Sequence, residues 1–151
     1  MQASAKPFYY SPVFLAVAAA VLRLAGLYVA WRWRPWVVVN PLMSGGEVTQ
    51  IARSIVSGKG FGNPLGVIDT GPTAWLCPAY PYLVAVVFKL AGIYTEKSRL
   101  ILLALNCVFA GLTVFPIYAT AKRTFGAEVA VLASWIWVVL PSAWQMPIRV
   151  A

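Results

Sequence analysis

Apolar residues run in four long blocks along the chain, about 12–31, 74–94, 100–121 and 129–148. A helix needs about 20 mainly apolar residues to cross a bilayer, so each block predicts a membrane span. The first is interrupted only by Arg23 and the second carries Lys89 near its far end, whereas the third and fourth hold no charge. A signal peptide is the rival for the first block, because Lys6 precedes a stretch containing Ala18, Ala19 and Ala20. Arg23 cuts that stretch, and no A-x-A site leads into a polar mature start. Tyr28, Trp31, Trp33 and Trp36, mixed with Arg32 and Arg34, have instead the make-up of an interfacial anchor where a helix leaves the bilayer. Snorkelling of its long side chain to the interface is the expected accommodation of Arg23. The expected fold is therefore an all-α membrane protein of about four transmembrane helices.

The links between the later blocks are short, residues 95–99 and 122–128, but the first link is long, residues 32–73. Within it, Ser44-Gly45-Gly46-Glu47 has the S-x-x-E form of a capping box. Val48, Ile51, Ala52 and Ile55 follow at helical spacing, predicting a short helix over about 45–57. Gly58 stands where a left-handed residue would end that helix. With one apolar face, the helix suits a membrane surface, apolar side down. The turn formers Gly58 to Pro64 and Asp69-Thr70-Gly71-Pro72 predict a folded return. Pro78 and Pro81 fit only near the start of the second span, and they would hold Trp75, Tyr80 and Tyr82 at headgroup depth, facing a cavity between loop and bilayer.

Composition narrows the class. Hydrophobic residues make up 61% and charged residues 11%, against roughly 25% charged in a soluble domain. That balance excludes a soluble globular protein, a disordered chain and a nucleic-acid binder. The net charge of +8 comes from Lys and Arg placed between or at the ends of apolar blocks. The cations divide almost evenly between the two sides of a four-span topology, so charge alone sets no orientation. With no histidine, and Cys77 and Cys107 as the only cysteines, neither a zinc site nor a Cys/His nucleophile pair can be assembled.

The order of these features resembles the integral-membrane glycosyltransferases of the GT-C type, in the bacterial branch related to protein O-mannosyltransferases and the lipid A aminoarabinose transferase. The residues that carry the resemblance are Glu47 to Ile55, Gly58-Lys59-Gly60-Phe61-Gly62-Asn63-Pro64, Thr70 to Trp75, Pro78-Ala79-Tyr80-Pro81-Tyr82, Phe88 to Tyr94 and Ala121 to Gly126. Such enzymes take a sugar from a polyprenyl-phosphate carrier and transfer it, with inversion, to a glycan, lipid or protein acceptor on the non-cytoplasmic face. The resemblance implies a multi-pass plasma (inner) membrane protein with the N-terminus cytoplasmic and the first loop external. It also implies an acid on that loop as general base, and Glu47 is the matching acid. Family members carry many more spans, so residues 1–151 read as the N-terminal portion of a longer transferase, insufficient for catalysis alone.

This chemistry asks for one carboxylate near the sugar, cationic help for the departing phosphate and an apolar groove for the lipid tail. Arg53 or Lys59 would meet phosphate, Asp69 would hold sugar hydroxyls or a divalent metal, and Tyr80 would line the substrate cavity; the chain names no other cofactor. Each residue has a plainer reading. Glu47 could simply complete the capping box, Arg53 and Lys59 could contact anionic lipid, and Asp69 could be a turn residue. The alternative function is a small four-span non-catalytic membrane subunit or a transporter; the latter calls for an ionisable residue deep in a span, whereas all four acids lie in loops or at span ends.

Overall fold

The computed structural model describes residues 10–33, 46–66 and 68–140. These form six helices, α1 (Pro12–Trp33), α2 (Glu47–Val56), α3 (Ala79–Ala91), α4 (Glu96–Leu112), α5 (Val114–Phe125) and α6 (Ala127–Val139). No strand occurs among the described residues, whose one isolated bridge pairs Gly62 with Pro72. Ser44, Trp36 and the last part of the fourth block, 141–148, lie outside the described residues.

Among the described residues, two helical runs are long and apolar enough to cross a membrane. One is α1, and the other is Glu96–Phe125, formed by α4 and α5 with Thr113 between them. The break at Thr113 has a local cause. Pro116 has no N–H to give the Leu112 carbonyl, and it is tolerated because it falls in the first turn of α5. The charge-free stretch of this run, Leu100 to Ala121, matches the third predicted span.

α3 and α6 have 13 residues each, about 20 Å at 1.5 Å per residue, against a hydrocarbon core of about 30 Å. The predicted start of the second span is corrected. Residues 74–78 are not helical, Pro78 takes the N-cap position of α3, and Pro81 stands at its third residue, where no backbone donor is needed.

The described residues divide into two compact units, one of 10–29 with 104–140, the other within 30–103. In the first, Leu15, Ala16 and Ala19 of α1 pack with Val114 of α5 and Val138 of α6, bordered by Tyr118, Trp135 and Trp137. A Cβ built on Gly111 would stand 2.9 Å from the Ala16 carbonyl oxygen and 2.9 Å from the Ala20 Cβ, so the glycine is what lets the two backbones approach.

Arg23 does not snorkel. It is 2% exposed, donating to the Ala19 carbonyl at 3.0 Å and to the Trp137 carbonyl at 2.8 Å. Its guanidinium also lies 5.6 Å from the Trp137 ring centre. Trp137 is near the end of α6, where helical carbonyls lack intrahelical donors, so Arg23 acts as a C-terminal cap reaching across from α1. The Trp137 indole in turn donates to the Ala110 carbonyl at 2.9 Å.

In the second unit α2 packs on α3. Ile51 and Ala52 of α2 are buried, as are Val84, Ala85, Val87 and Phe88 of α3. This corrects the expectation of a helix lying apolar side down on the bilayer: the centre of its apolar stripe, Ile51 and Ala52, is covered by protein, with Val48 and Ile55 half-buried on either side. Beyond α3, Tyr94 takes a left-handed turn at φ 56° and stacks edge-on against Phe88. Thr95 then caps α4, its hydroxyl accepting the Ser98 N–H at 3.1 Å.

Candidate functional site

α2 ends as its sequence predicts. Gly58 has φ +77°, its N–H bonds the Ile55 carbonyl, and the Lys59 N–H bonds the Ser54 carbonyl. This is a Schellman closure, and it delivers Lys59 to the rim of the helix end. The N-terminus differs from expectation. Gly46 is the N-cap, without a side-chain cap, so Glu47 is the first helical residue and does not complete a capping box, which needs the acid at the third. The Gly46 carbonyl accepts both the Gln50 N–H at 3.0 Å and the Thr49 hydroxyl at 2.8 Å.

The return over 61–73 is held by paired backbone bonds. Asn63 N–H donates to the Gly71 carbonyl at 3.0 Å and Thr73 N–H to the Phe61 carbonyl at 3.1 Å. The Asn63 side chain accepts the Gly71 N–H at 2.9 Å, while its own backbone is left-handed at φ 57°. Phe61 stacks on Tyr82, ring centres 5.9 Å apart, fastening the return to α3.

Between α2 and this return lies a cavity of about 300 Å³, lined by Gln50, Arg53, Ser54, Ser57, Lys59, Asn63, Gly66, Ile68 and Asp69. It brings together three of the residues expected to bind substrate, Arg53, Lys59 and Asp69. Lys59 and Asp69 face each other at 3.8 Å with side chains 63% and 71% exposed. Asp69 therefore has a charge partner, and the turn it was expected to organise is organised by Asn63. Among the described residues no three His, Cys, Asp or Glu come together.

Ser54 was not singled out by the sequence reading. It is 5% exposed, and its hydroxyl is buried with no hydrogen-bond partner among the described residues. The signal was its position three residues after Ile51, on the flank of the apolar stripe. On the same helix Thr49 is buried too, and the Tyr94 hydroxyl is buried beside it.

Glu47 and Tyr80 are not among the cavity-lining residues. Glu47 Oε2 accepts the Trp75 indole N–H at 2.7 Å, and the Trp75 ring is 71% exposed. No local sequence signal pairs residues this far apart. Tyr80 lies half-buried in the first turn of α3. The arrangement thus offers two features, a polar cavity with two cations and one acid, and a carboxylate oriented by an exposed indole. No protein-family model, curated protein sequence or solved structure matches the chain.

Proposed function

We propose that the chain is a four-span membrane protein of the GT-C glycosyltransferase type, handling a polyprenyl-phosphate-linked sugar at its first loop. α1 and the α4–α5 run supply two crossings. α3 and α6, with the apolar residues that flank them, supply the others, and the N-terminus is cytoplasmic. In this reading Glu47 is the general base for the acceptor hydroxyl, with its rotamer held by Trp75. Arg53 and Lys59 meet the carrier phosphate, Asp69 and Asn63 the sugar, and the acceptor is a glycan, lipid or protein.

The observation that supports it is the gathering of Arg53, Lys59 and Asp69 around one polar cavity beside apolar helices. Its volume is at the lower end of the roughly 300–1,000 Å³ usual for small-ligand sites. A transporter would instead use an ionisable group in a span. Arg23 is such a group, but its bonds run to the Ala19 and Trp137 carbonyls, which is a structural use.

The test is binding of a polyprenyl-phosphate hexose to the chain in lipid nanodiscs, followed by native mass spectrometry. The carrier lipid should be retained in preference to phosphatidylglycerol, and the preference should fall in Arg53→Gln and Lys59→Gln. Equal retention of the two lipids by the wild-type chain would refute the reading.

A further inference from the structure

We infer that α3 does not cross the bilayer: it lies in the plane of the membrane surface, one face under α2 and its exposed stripe docked on the boundary between lipid headgroups and acyl chains. This goes beyond the proposed function and replaces one part of it, the crossing given there to α3, while Glu47 and the cavity residues stay on one loop.

Two observations within the second unit carry the inference. The first joins the two ends of the segment that holds α3. The Trp31 indole N–H, in the last turn of α1, donates at 3.3 Å to Oε1 of Glu96, the first residue of α4. A single crossing between these residues would set them on opposite sides of a hydrocarbon core about 30 Å thick. Their hydrogen bond puts them on the same side, so the chain between them crosses an even number of times. The one apolar helix described there is α3, of 13 residues and about 20 Å, and residues 34–45 are too few for a second crossing. The even number is therefore zero.

The second observation is what lies along α3. The return is fastened to its first turn, where Phe61 stacks on Tyr82, and α2 reaches past its last, where Tyr94 is buried beside Thr49 and Arg53. This cover is polar on its outer side, with Arg53, Ser57, Lys59 and Asp69 all exposed. A crossing α3 would draw it into the hydrocarbon, where charged side chains are costly. With α3 in the plane of the surface, the same cover stays in water.

The free face of α3 has the composition such a position needs. Ala79, Tyr82, Val86 and Leu90 are exposed on one stripe, opposite the buried Val84 and Phe88 that pack under α2. Lys89, the one charged residue of α3, is exposed at the edge of the stripe, where its stem can lie on lipid and its ammonium reach the headgroups. A helix apolar on both faces needs an apolar cover on each. Protein supplies one, and a surface helix sinks the other about 5–10 Å into the headgroup boundary.

The test uses the full chain in membranes, with Cys77→Ser removing the exposed thiol. Lys59→Cys, Lys97→Cys and Arg123→Cys are each labelled with a membrane-impermeant maleimide in sealed vesicles, before and after permeabilisation. Positions 59 and 97 should react from one side and position 123 from the other. With α3 as a crossing, 59 and 123 would share a side and 97 would stand opposite, so separation of 59 from 97 overturns the inference. Nitroxides on Ala79→Cys, Val86→Cys and Leu90→Cys then report depth by electron paramagnetic resonance, through relaxation by oxygen and by a water-soluble nickel chelate. All three should share one depth, about 5–10 Å below the headgroups. Val86 near the midplane, about 15 Å down, would restore the crossing; three labels open to the chelate would overturn the contact with lipid. Neither readout involves a sugar or a carrier lipid, so this inference and the transferase reading fail separately.

Discussion

Gly62→Ala tests whether the return loop is shaped by one close backbone contact. A Cβ at this position would overlap the Gly71 carbonyl oxygen and stand 2.9 Å from its carbon and 3.2 Å from the Pro72 Cα. All three are backbone atoms, so no side-chain rotation relieves the overlap. Overpacking of this kind costs about 1–3 kcal/mol if the fold holds. The alternative is to part the two arms, losing the Asn63–Gly71 and Phe61–Thr73 backbone bonds and the bond from Gly71 N–H to the Asn63 side chain. Three bonds at about 1 kcal/mol each put local opening at about 3 kcal/mol. Amide exchange at Asn63, Gly71 and Thr73 in detergent-solubilised protein should then accelerate by on the order of a hundredfold. Exchange in α1 should not change. Gly58→Ala is the control: nothing lies within 4 Å of its Cβ, and its cost comes from φ +77° alone, so α2 should fray at its end without opening the return. Wild-type exchange at those three amides in Gly62→Ala would show that the arms are not held at this distance, and the cavity built on them would have to be abandoned.

Arg23→Met should destabilise the first unit by about 2–4 kcal/mol, seen as a lower melting temperature, because the Trp137 carbonyl loses its donor while the ring loses its cation; an unchanged value would mean the guanidinium is not what caps α6. Gly111→Leu should separate α1 from α4, costing about 2–3 kcal/mol and lowering the melting temperature; an unchanged value would mean that the two backbones do not meet at this glycine. Asp69→Asn should shift stability by less than about 1 kcal/mol, since its ion pair with Lys59 is exposed, so any larger change in anion binding is local to the cavity. On the proposed transferase reading, Glu47→Gln should remove sugar transfer and leave carrier-lipid binding in place, while Trp75→Phe should lower turnover more than it changes binding; transfer retained in Glu47→Gln would end the proposed role of that acid as base.

Local pattern was enough for several elements. The apolar block 12–31 became α1, ending at Trp33, and the periodic stretch 45–57 became α2 at Glu47–Val56 with Gly58 closing it, although without the expected capping box. The charge-free block 100–121 lies within the long run Glu96–Phe125. These features depend on neighbours within a turn or two: period, glycine at a left-handed position, absence of charge. The start of α3 was missed by five residues, although Pro78 and Pro81 held the information, because apolar content continues through Ala74 to Cys77 while helical hydrogen bonding does not.

What depends on distant neighbours was hidden. A stripe such as Val48, Ile51, Ala52 and Ile55 says that something apolar must cover it, and a bilayer and α3 are equally good covers as far as periodicity goes. Arg23 shows the same limit in reverse: a cation in an apolar block must find oxygen, and only folding decides whether that is solvent at the interface or the Trp137 carbonyl. Arg53, Lys59 and Asp69 could be named from charge and composition, but their sharing one cavity needed the Gly62–Gly71 approach that turns the loop back on α2. Ser54 became a candidate only when burial and the missing hydrogen bond were seen together. The sequence by itself determined which segments are helical and apolar, because propensity, periodicity and charge act over a few residues. Tertiary structure decided which surfaces face one another, because burial and hydrogen-bond satisfaction are settled between segments far apart in the chain.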